Sequence, residues 1–167
     1  MVANFLWATG NQGLVTSTGV ALMQSELASV ANSSWTVSSS GGLSGVFGSS
    51  LTGQAIWGYL QLYYGSSATG STSTGPTAGA NWAGWFLPSP DGGTTFESTA
   101  QVPPRAPDFL IPLSTGTIAA SAKPFQASGL VRLPPVPFKV FMQNNTGNTM
   151  GASTDPKLNL LPVAMQY

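Results

Sequence analysis

Short stretches of alternating apolar and polar residues, each closed by Gly, Pro or Asn, constrain the fold of this chain more than any other feature. The best of them spans residues 54–64 and carries bulky side chains at both odd and even positions. Successive side chains of a β-strand point to opposite faces, so this pattern predicts a strand that is covered on both sides. One face holds Ile56, Leu60 and Leu62, and the other holds Trp57, Tyr59 and Tyr63.

Further short strands are predicted along the rest of the chain. Loops rich in Gly, Ser and Pro separate them, including residues 66–80, and the Pro-rich residues 102–108 suit an extended backbone. Several short strands with frequent turn signals predict an all-β fold, either an antiparallel β-sandwich or a barrel. The additional strands cover residues 82–87, 109–113, 116–120, 128–133, 138–143 and 158–163.

Residues 21–30 fit two different structures. Taken as a helix, they form two or three turns. Taken as a strand, they place Leu22, Gln24 and Glu26 on one face, which mixes apolar and polar side chains unfavourably. The sequence leaves both interpretations open.

The residue types present exclude several classes of function. The chain has no histidine and no cysteine, which removes the usual zinc, haem and iron–sulfur ligands and the base of Ser-His and Cys-His catalysis. We therefore expect no enzyme activity, no metal and no cofactor. Five basic and five acidic residues give no net charge, so nucleic acid is not an expected partner. We also expect no membrane partner, since no apolar run approaches ~20 residues and no signal-peptide pattern begins the chain.

Asp91 and Glu97 are the two carboxylates that lie nearest each other in the sequence. Glycosidases use two carboxylates held ~5–10 Å apart, so this pair is the natural place to look for such chemistry. Asp91 directly precedes Gly92 and Gly93, however, which is the pattern of a turn. We interpret Asp91 as a turn residue and Glu97 as a solvated residue on a following strand.

Charge is distributed unevenly along the chain. Nine of the ten charged side chains follow residue 90, so Glu26 is the single ionisable side chain before that point. Surfaces of isolated domains normally carry charge, whereas the centres of interfaces are depleted of it. We therefore expect this half of the chain to be covered by a partner or by copies of itself. A length of 167 residues suits one domain, so residues 1–20 are a candidate N-terminal arm and residues 21–167 a single β-sandwich domain.

Five aromatic side chains at strand spacing are the candidate binding residues, and several amides lie near them. Aromatic rings at such positions most often fill a core or a subunit interface. They also suit carbohydrate binding, because a ring can stack on a sugar while an amide binds its hydroxyl groups. The five aromatic residues are Trp57, Tyr59, Tyr63, Trp82 and Trp85, and the amides are Gln54, Gln61 and Asn81.

Three segments of the chain carry a family resemblance. They are residues 85–97 (WFLPSPDGGTTFE), residues 103–108 (PPRAPD) and residues 133–147 (LPPVPFKVFMQNNTG). Within a match over about residues 54–163, this pattern resembles the capsid decoration, or cement, proteins of tailed bacteriophages. The motifs are turn and strand patterns, and none of them is a catalytic signature.

The resemblance implies a jelly-roll-like β-sandwich, without catalytic residues, located at the capsid surface of a virion. It implies binding to neighbouring subunits of the phage major capsid protein, and self-association as a dimer or trimer on a symmetry axis. Two alternatives stay open. One is a carbohydrate-binding adhesin or head-fibre domain on the virion surface, and the other is a structural subunit of a tail or fibre.

Overall fold

A computed structural model describes residues 20–39, 55–63, 80–97, 100–113, 125–150 and 156–164 of the chain. These residues form eight β-strands and one short 3₁₀ turn, Ser25–Leu27. The strands are β1 (Val20–Met23), β2 (Trp35–Val37), β3 (Ala55–Tyr63), β4 (Asn81–Pro88), β5 (Phe109–Pro112), β6 (Phe125–Arg132), β7 (Phe138–Asn145) and β8 (Lys157–Ala164).

The strands form two four-stranded antiparallel sheets with a regular pairing. Strand β1 pairs with β8, β2 with β7, β3 with β6, and β4 with β5, as in a long hairpin whose tip is the β4–β5 connection. Further pairing of β3 with β8 and of β4 with β7 gives the sheet orders β1-β8-β3-β6 and β2-β7-β4-β5. A hairpin rolled up in this way is a jelly roll. The predicted antiparallel β-sandwich of jelly-roll type is confirmed.

The core lies between the two sheets and follows the alternation of the strands. Phe138, Val140 and Met142 of β7 share one face, as their spacing predicts, and all three are fully buried. Phe86 of β4 packs edge to face on Phe138, with 5.0 Å between the ring centroids. The facing sheet contributes alternate buried leucines from two strands, which are Leu60 and Leu62 of β3 and Leu158 and Leu160 of β8.

A glycine makes room for one of the core rings. Gly84 lies opposite Phe109 in the β4–β5 pairing, and a Cβ atom at this position would overlap the Phe109 ring. The ring therefore packs directly on the backbone of β4, 5.3 Å from the Phe86 ring centroid. Glycine inside a strand often marks such a close approach, and here it keeps Phe109 in the core.

A β-bulge in β6 decides which of its side chains face outward. The β3–β6 register shifts between Tyr59 and Gln61, because Ser128 and Gly129 together oppose a single residue of β3. The buried Ser128 hydroxyl accepts the N–H of Leu60 at 3.0 Å and replaces a backbone bond that the bulge removes. The extra residue reverses the alternation of β6. Beyond the bulge, Leu130 and Arg132 face outward, and Val131 and Leu133 face inward.

Two of the remaining predictions differ from the structure, and three others fall on residues that it does not describe. Residues 21–30 form strand β1 followed by the 3₁₀ turn, so the longer helix is not formed. Strand β2 was not predicted, because three residues are too short to show a period. The predicted strand over residues 116–120, the loop over residues 66–80 up to residue 79, and the candidate arm over residues 1–20 up to residue 19 lie outside the described residues, while Val20 begins β1.

Candidate functional site

The β4–β5 connection covers the part of the outer face of sheet β2-β7-β4-β5 around Trp85, whereas Trp35 and Leu110 on the two edge strands stay exposed. Val102, in the connection between β4 and β5, packs against a buried cluster that includes Trp85, Leu87 and Phe141. Trp85 is only 3% exposed, and its Nε1 donates to the carbonyl oxygen of Arg105 at 3.0 Å. The β4–β5 connection therefore acts as a lid over this sheet, and the rings beneath it are not available to a partner.

Arg105 fastens this connection to β4. Its Nη1 donates to both carboxylate oxygens of Asp108 at 2.8 Å, and its Nη2 donates to the Phe86 carbonyl oxygen at 2.7 Å and to Glu97 at 3.3 Å. Asp108 in turn accepts the N–H of Phe86 at 2.7 Å. Partial burial acts to lower the pKa of Arg105, but the bonds to Asp108 and Glu97 outweigh it and raise that pKa above its ordinary value.

The outer face of sheet β1-β8-β3-β6 is left open by the described part of the chain. Strand β3 presents aromatic side chains here at alternate positions, and Tyr59 is 40% exposed, so the described part of the chain does not cover this side of β3, and the cover expected there stays a prediction. Leu130 of the neighbouring β6 is 48% exposed. We call this surface the aromatic face: Trp57, Tyr59, Gln61 and Tyr63 of β3, Leu130 and Arg132 of β6, and Lys157, Asn159 and Leu161 of β8.

Strand pairing arranges the aromatic face in rows with a cation at each end. Arg132 lies beside Trp57 at one end. Lys157 lies beside Tyr63 at the other end, with its Nζ 5.3 Å from the ring centroid. Six residues of extended strand separate Trp57 from Tyr63, so the two ends are about 20 Å apart. The centre consists of Tyr59 between Leu130 and Leu161, with Gln61 beside Asn159.

The two end cations form no ion pair with any described carboxylate. Both ion pairs in this part of the chain belong to Arg105, with Glu97 and Asp108 as its partners. Arg132 also borders a groove of about 420 Å³ that is lined by Glu97, Arg105 and Asp108, although both of these carboxylates form their ion pairs with Arg105. Lys157 contacts the Tyr63 ring instead of a carboxylate.

The other two described carboxylates also accept hydrogen bonds from their own chain. Glu26 accepts the Ser39 N–H at 2.8 Å and the Ser39 hydroxyl; partial burial acts to raise its pKa, but the hydrogen bonds lower it to about 2. Asp91 accepts the Thr95 hydroxyl at 2.6 Å, the Thr95 N–H at 2.8 Å and the Ser89 hydroxyl at 2.8 Å. These bonds hold the pKa of Asp91 well below its ordinary value.

Asp91 and Glu97 have separate structural roles. Asp91 closes the turn at Gly92 and Gly93, whose φ angles of 75° and 106° require glycine, so its interpretation as a turn residue is confirmed. Glu97 was predicted to be a solvated residue on a following strand, whereas it lies in the β4–β5 connection, where its half-exposed side chain pairs with Arg105. Both carboxylates thus stabilise the β4–β5 connection.

Of the five aromatic residues predicted to bind a partner, three lie on the aromatic face and two do not. Trp82 is fully buried between the sheets, and Trp85 is covered by the β4–β5 connection. These two rings fit the interpretation of the aromatic residues as core residues, and neither is exposed to a partner or a sugar. Strand β4 is bulky on both faces, so its alternation does not show which face is covered. The three residues that remain are Trp57, Tyr59 and Tyr63.

Sequence reasoning missed the part of the aromatic face that comes from other strands. Leu130, Arg132, Lys157 and Leu161 join it only through the pairing of β6 and β8 with β3. The outward position of Leu130 also depends on the bulge at residues 128–129, which breaks the alternation that a sequence pattern would use. For these residues, the one signal in the sequence was the alternation of polar and apolar side chains that begins at residue 157.

A comparison with protein-family models, with curated proteins and with solved structures finds no match to this chain. Within the described ranges, no three His, Cys, Asp or Glu side chains come together to hold a metal ion. None of the helical residues described forms a helix long and apolar enough to cross a membrane. The class that the structure defines is an eight-stranded jelly-roll β-sandwich with one open aromatic face.

Proposed function

We propose that this protein is a virion structural protein, a capsid decoration or cement protein that binds neighbouring major capsid subunits and stabilises the shell. The observation that carries the proposal is the aromatic face, an apolar sheet surface that the described part of the chain leaves open. Exposed apolar patches on soluble proteins mark interaction sites. Trp, Tyr and Arg, which are prominent on this face, are also the residue types that dominate binding energy at protein interfaces.

The fold is compatible with this proposal and with others. Eight-stranded jelly rolls occur in viral capsid proteins and in lectins, and a fold alone does not determine a function. The resemblance to phage decoration proteins supports the capsid role. The segments that carry it, residues 85–97, 103–108 and 133–147, belong to β4, the β4–β5 connection and the β6–β7 region. The resemblance therefore concerns the covered side of the sandwich, and the aromatic face is independent support.

The size of the aromatic face suits weak binding by many copies. Three strands about 4.8 Å apart and about 20 Å long offer roughly 300 Å². A standard stable interface buries roughly 800 Å² on each partner, so one such contact is weak. On a closed shell many equivalent contacts act in parallel, and a dimer or trimer links several of them, which raises the total strength of binding.

Matched substitutions on the two sheets test the proposal. Leu130→Asp places a charge in the aromatic face, and Leu110→Asp places one at a leucine of similar exposure, 51% against 48%, on β5 of the other sheet. We expect Leu130→Asp to weaken binding to purified particles that lack the protein by about tenfold or more, because a charge would be buried there without a partner. Leu110→Asp should bind like the unmodified chain.

Thermal unfolding of both variants shows whether each is folded. If the two folded variants bind equally well, the aromatic face is not the binding surface. Quantitative mass spectrometry of purified virions adds the copy number. Hundreds of copies per particle indicate a decoration protein, tens or fewer indicate a tail or fibre subunit, and absence from the particle contradicts both.

A second candidate function is carbohydrate binding by an adhesin or head-fibre domain. One observation favours it: Trp57, Tyr59 and Tyr63 lie in one row, with the amides of Gln61 and Asn159 beside them. A glycan array with the purified protein tests this function, with Trp57→Ala as the variant and Trp35→Ala, a half-exposed tryptophan of the other sheet, as its control. Specific binding that only Trp57→Ala removes supports the adhesin, and an array without binding rejects it.

A further inference from the structure

We propose that the aromatic face binds an acidic partner surface, apolar at its centre and carrying carboxylates about 20 Å apart that meet Arg132 and Lys157. This inference rests on the proposed function and names the chemistry of the capsid surface that the face recognises. Its starting point is the position of two cations at diagonally opposite corners of the aromatic face, Arg132 on β6 and Lys157 on β8, with apolar and amide groups between them.

The hydrogen-bond and ion-pair partners of the described charged side chains support an acidic partner surface. Every described carboxylate accepts hydrogen bonds from its own chain: Glu26 from Ser39, Asp91 from Thr95, and the remaining two from Arg105. Arg132 and Lys157 form no ion pair with any of them. The chain thus satisfies its described anions internally and presents two cations at the aromatic face. A partner that supplies carboxylates at these positions completes two ion pairs at the rim of the contact.

The same charges oppose a second copy of this chain as the occupant. Sheets that pack face to face keep their strands within about 30° of parallel or cross them near 90°. No described carboxylate lies on the aromatic face, so a second copy placed face to face in either arrangement offers neither cation an ion-pair partner. The four cations of the two copies would also add like charge to the contact. Self-association through this face is therefore disfavoured, and a dimer or trimer must use another surface.

A protein surface also fits better than a nucleic acid. A polyanion is bound through many phosphate contacts, and affinity follows the number of cations that make them. The aromatic face offers two cations at its ends and an apolar centre, whose burial requires apolar groups on the partner. Carboxylates on either side of an apolar patch match both properties.

Charge reversal and salt dependence test the inference on the full chain. The probe is the purified particle without this protein, titrated with the chain at about 50 mM and about 500 mM salt. We expect Arg132→Glu with Lys157→Glu to bind about tenfold more weakly than the unmodified chain at low salt, and to differ less than about threefold at high salt, where rim charges are screened. Lys139→Glu is the control, because Lys139 lies over the Phe96 ring on the other sheet.

Carbodiimide crosslinking then identifies the group that faces each cation. The reagent joins an amine to a carboxylate in contact with it, so bound Lys157 should give a crosslinked peptide with an Asp or Glu of the capsid subunit. Arg132→Lys should give a second one, and Lys139 should give none. Crosslinks from Lys157 to another copy of this chain, or charge-reversed variants that bind like the unmodified chain, overturn the inference while the proposed function stands. No particle binding by the unmodified chain overturns both.

Discussion

At the scale of single residues, Asn144 shows how one buried amide connects distant loops. Its side chain is fully buried, and its Nδ2 donates to the carbonyl oxygens of Val30 at 2.9 Å and Asn148 at 2.8 Å. Its Oδ1 accepts the N–H of Thr146 at 3.0 Å. The amide thus joins the β1–β2 connection to the turn after β7. Burial of such a group is tolerated because its nitrogen and its oxygen are both hydrogen-bonded.

Asn144→Ala should lower the free energy of unfolding by about 2 to 3 kcal/mol, since it removes three hydrogen bonds of a fully buried side chain and opens a small cavity. The neighbouring Asn145→Ala is the control, because Asn145 is half-buried and its one side-chain bond, to Asn81, is 3.5 Å long. It should cost less than about 1 kcal/mol. Urea denaturation measures both values, and equal losses would contradict this role for Asn144.

At the scale of elements, the described side-chain hydrogen bonds and ion pairs lie more in the connections than in the strands. Glu26 in the 3₁₀ turn binds Ser39 just beyond β2, so one carboxylate closes the whole β1–β2 connection. Arg105 does the same for the β4–β5 connection through Asp108 and Glu97. These bonds explain why residues 21–30 form a short strand and turn: the Glu26 carboxylate is used across the connection, so helix formation is not the local optimum.

The Glu26 bonds make stability depend on pH. The pKa of Glu26 is lowered from 4.5 to about 2 in the folded chain, so its stabilisation is complete above pH 4.5 and is lost as the pH falls toward about 2. Glu26→Gln should therefore be less stable than the unmodified chain at pH 7, and the difference should shrink between these two pH values. Chemical denaturation at a series of pH values measures it. A difference that stays constant across that range would show that the charge has no role.

Removal of the Arg105 side chain should loosen the cover over Trp85. Arg105→Ala loses the bonds to Asp108, Glu97 and the Phe86 carbonyl, and we expect the free energy of unfolding to fall by about 1 to 2 kcal/mol. Amide hydrogen exchange over residues 97–108 should accelerate more than elsewhere. Arg132→Ala is the control, since Arg132 forms no ion pair with a described residue. Equal exchange in both variants would mean that other contacts hold the connection.

At the scale of the whole molecule, the jelly-roll pairing produces two outer faces of different character. The tip of the rolled hairpin, the β4–β5 connection, folds back over sheet β2-β7-β4-β5 and buries Trp85 and Phe141. The described chain has no corresponding cover for the aromatic face, where Tyr59 and Leu130 stay exposed. The expectation that a partner covers the weakly charged first half of the chain stays a prediction. Three aromatic side chains of that half, Trp57, Tyr59 and Tyr63, lie on the aromatic face, where a partner can reach them.

Much of the fold was predictable because its signals are local. The period of two residues identified β3, β4 and β7 and the inward side chains Phe138, Val140 and Met142, and the glycines after Asp91 identified its turn. The candidate site was predictable only in part. Trp57, Tyr59 and Tyr63 were found from one strand, whereas Trp82 and Trp85 looked equivalent to them although both are buried.

The sequence by itself therefore determined the all-β class, most of the strands and the faces of each strand, since these depend on neighbouring residues in the chain. Only the tertiary structure decided which outer face is covered and which is open, because that depends on where the β4–β5 connection returns. It also decided that Leu130 and Leu161 flank Tyr59 and that Arg132 and Lys157 stand at the two ends. Strand pairing brings these residues together from distant parts of the chain, and a bulge changes their facing, which no local pattern records.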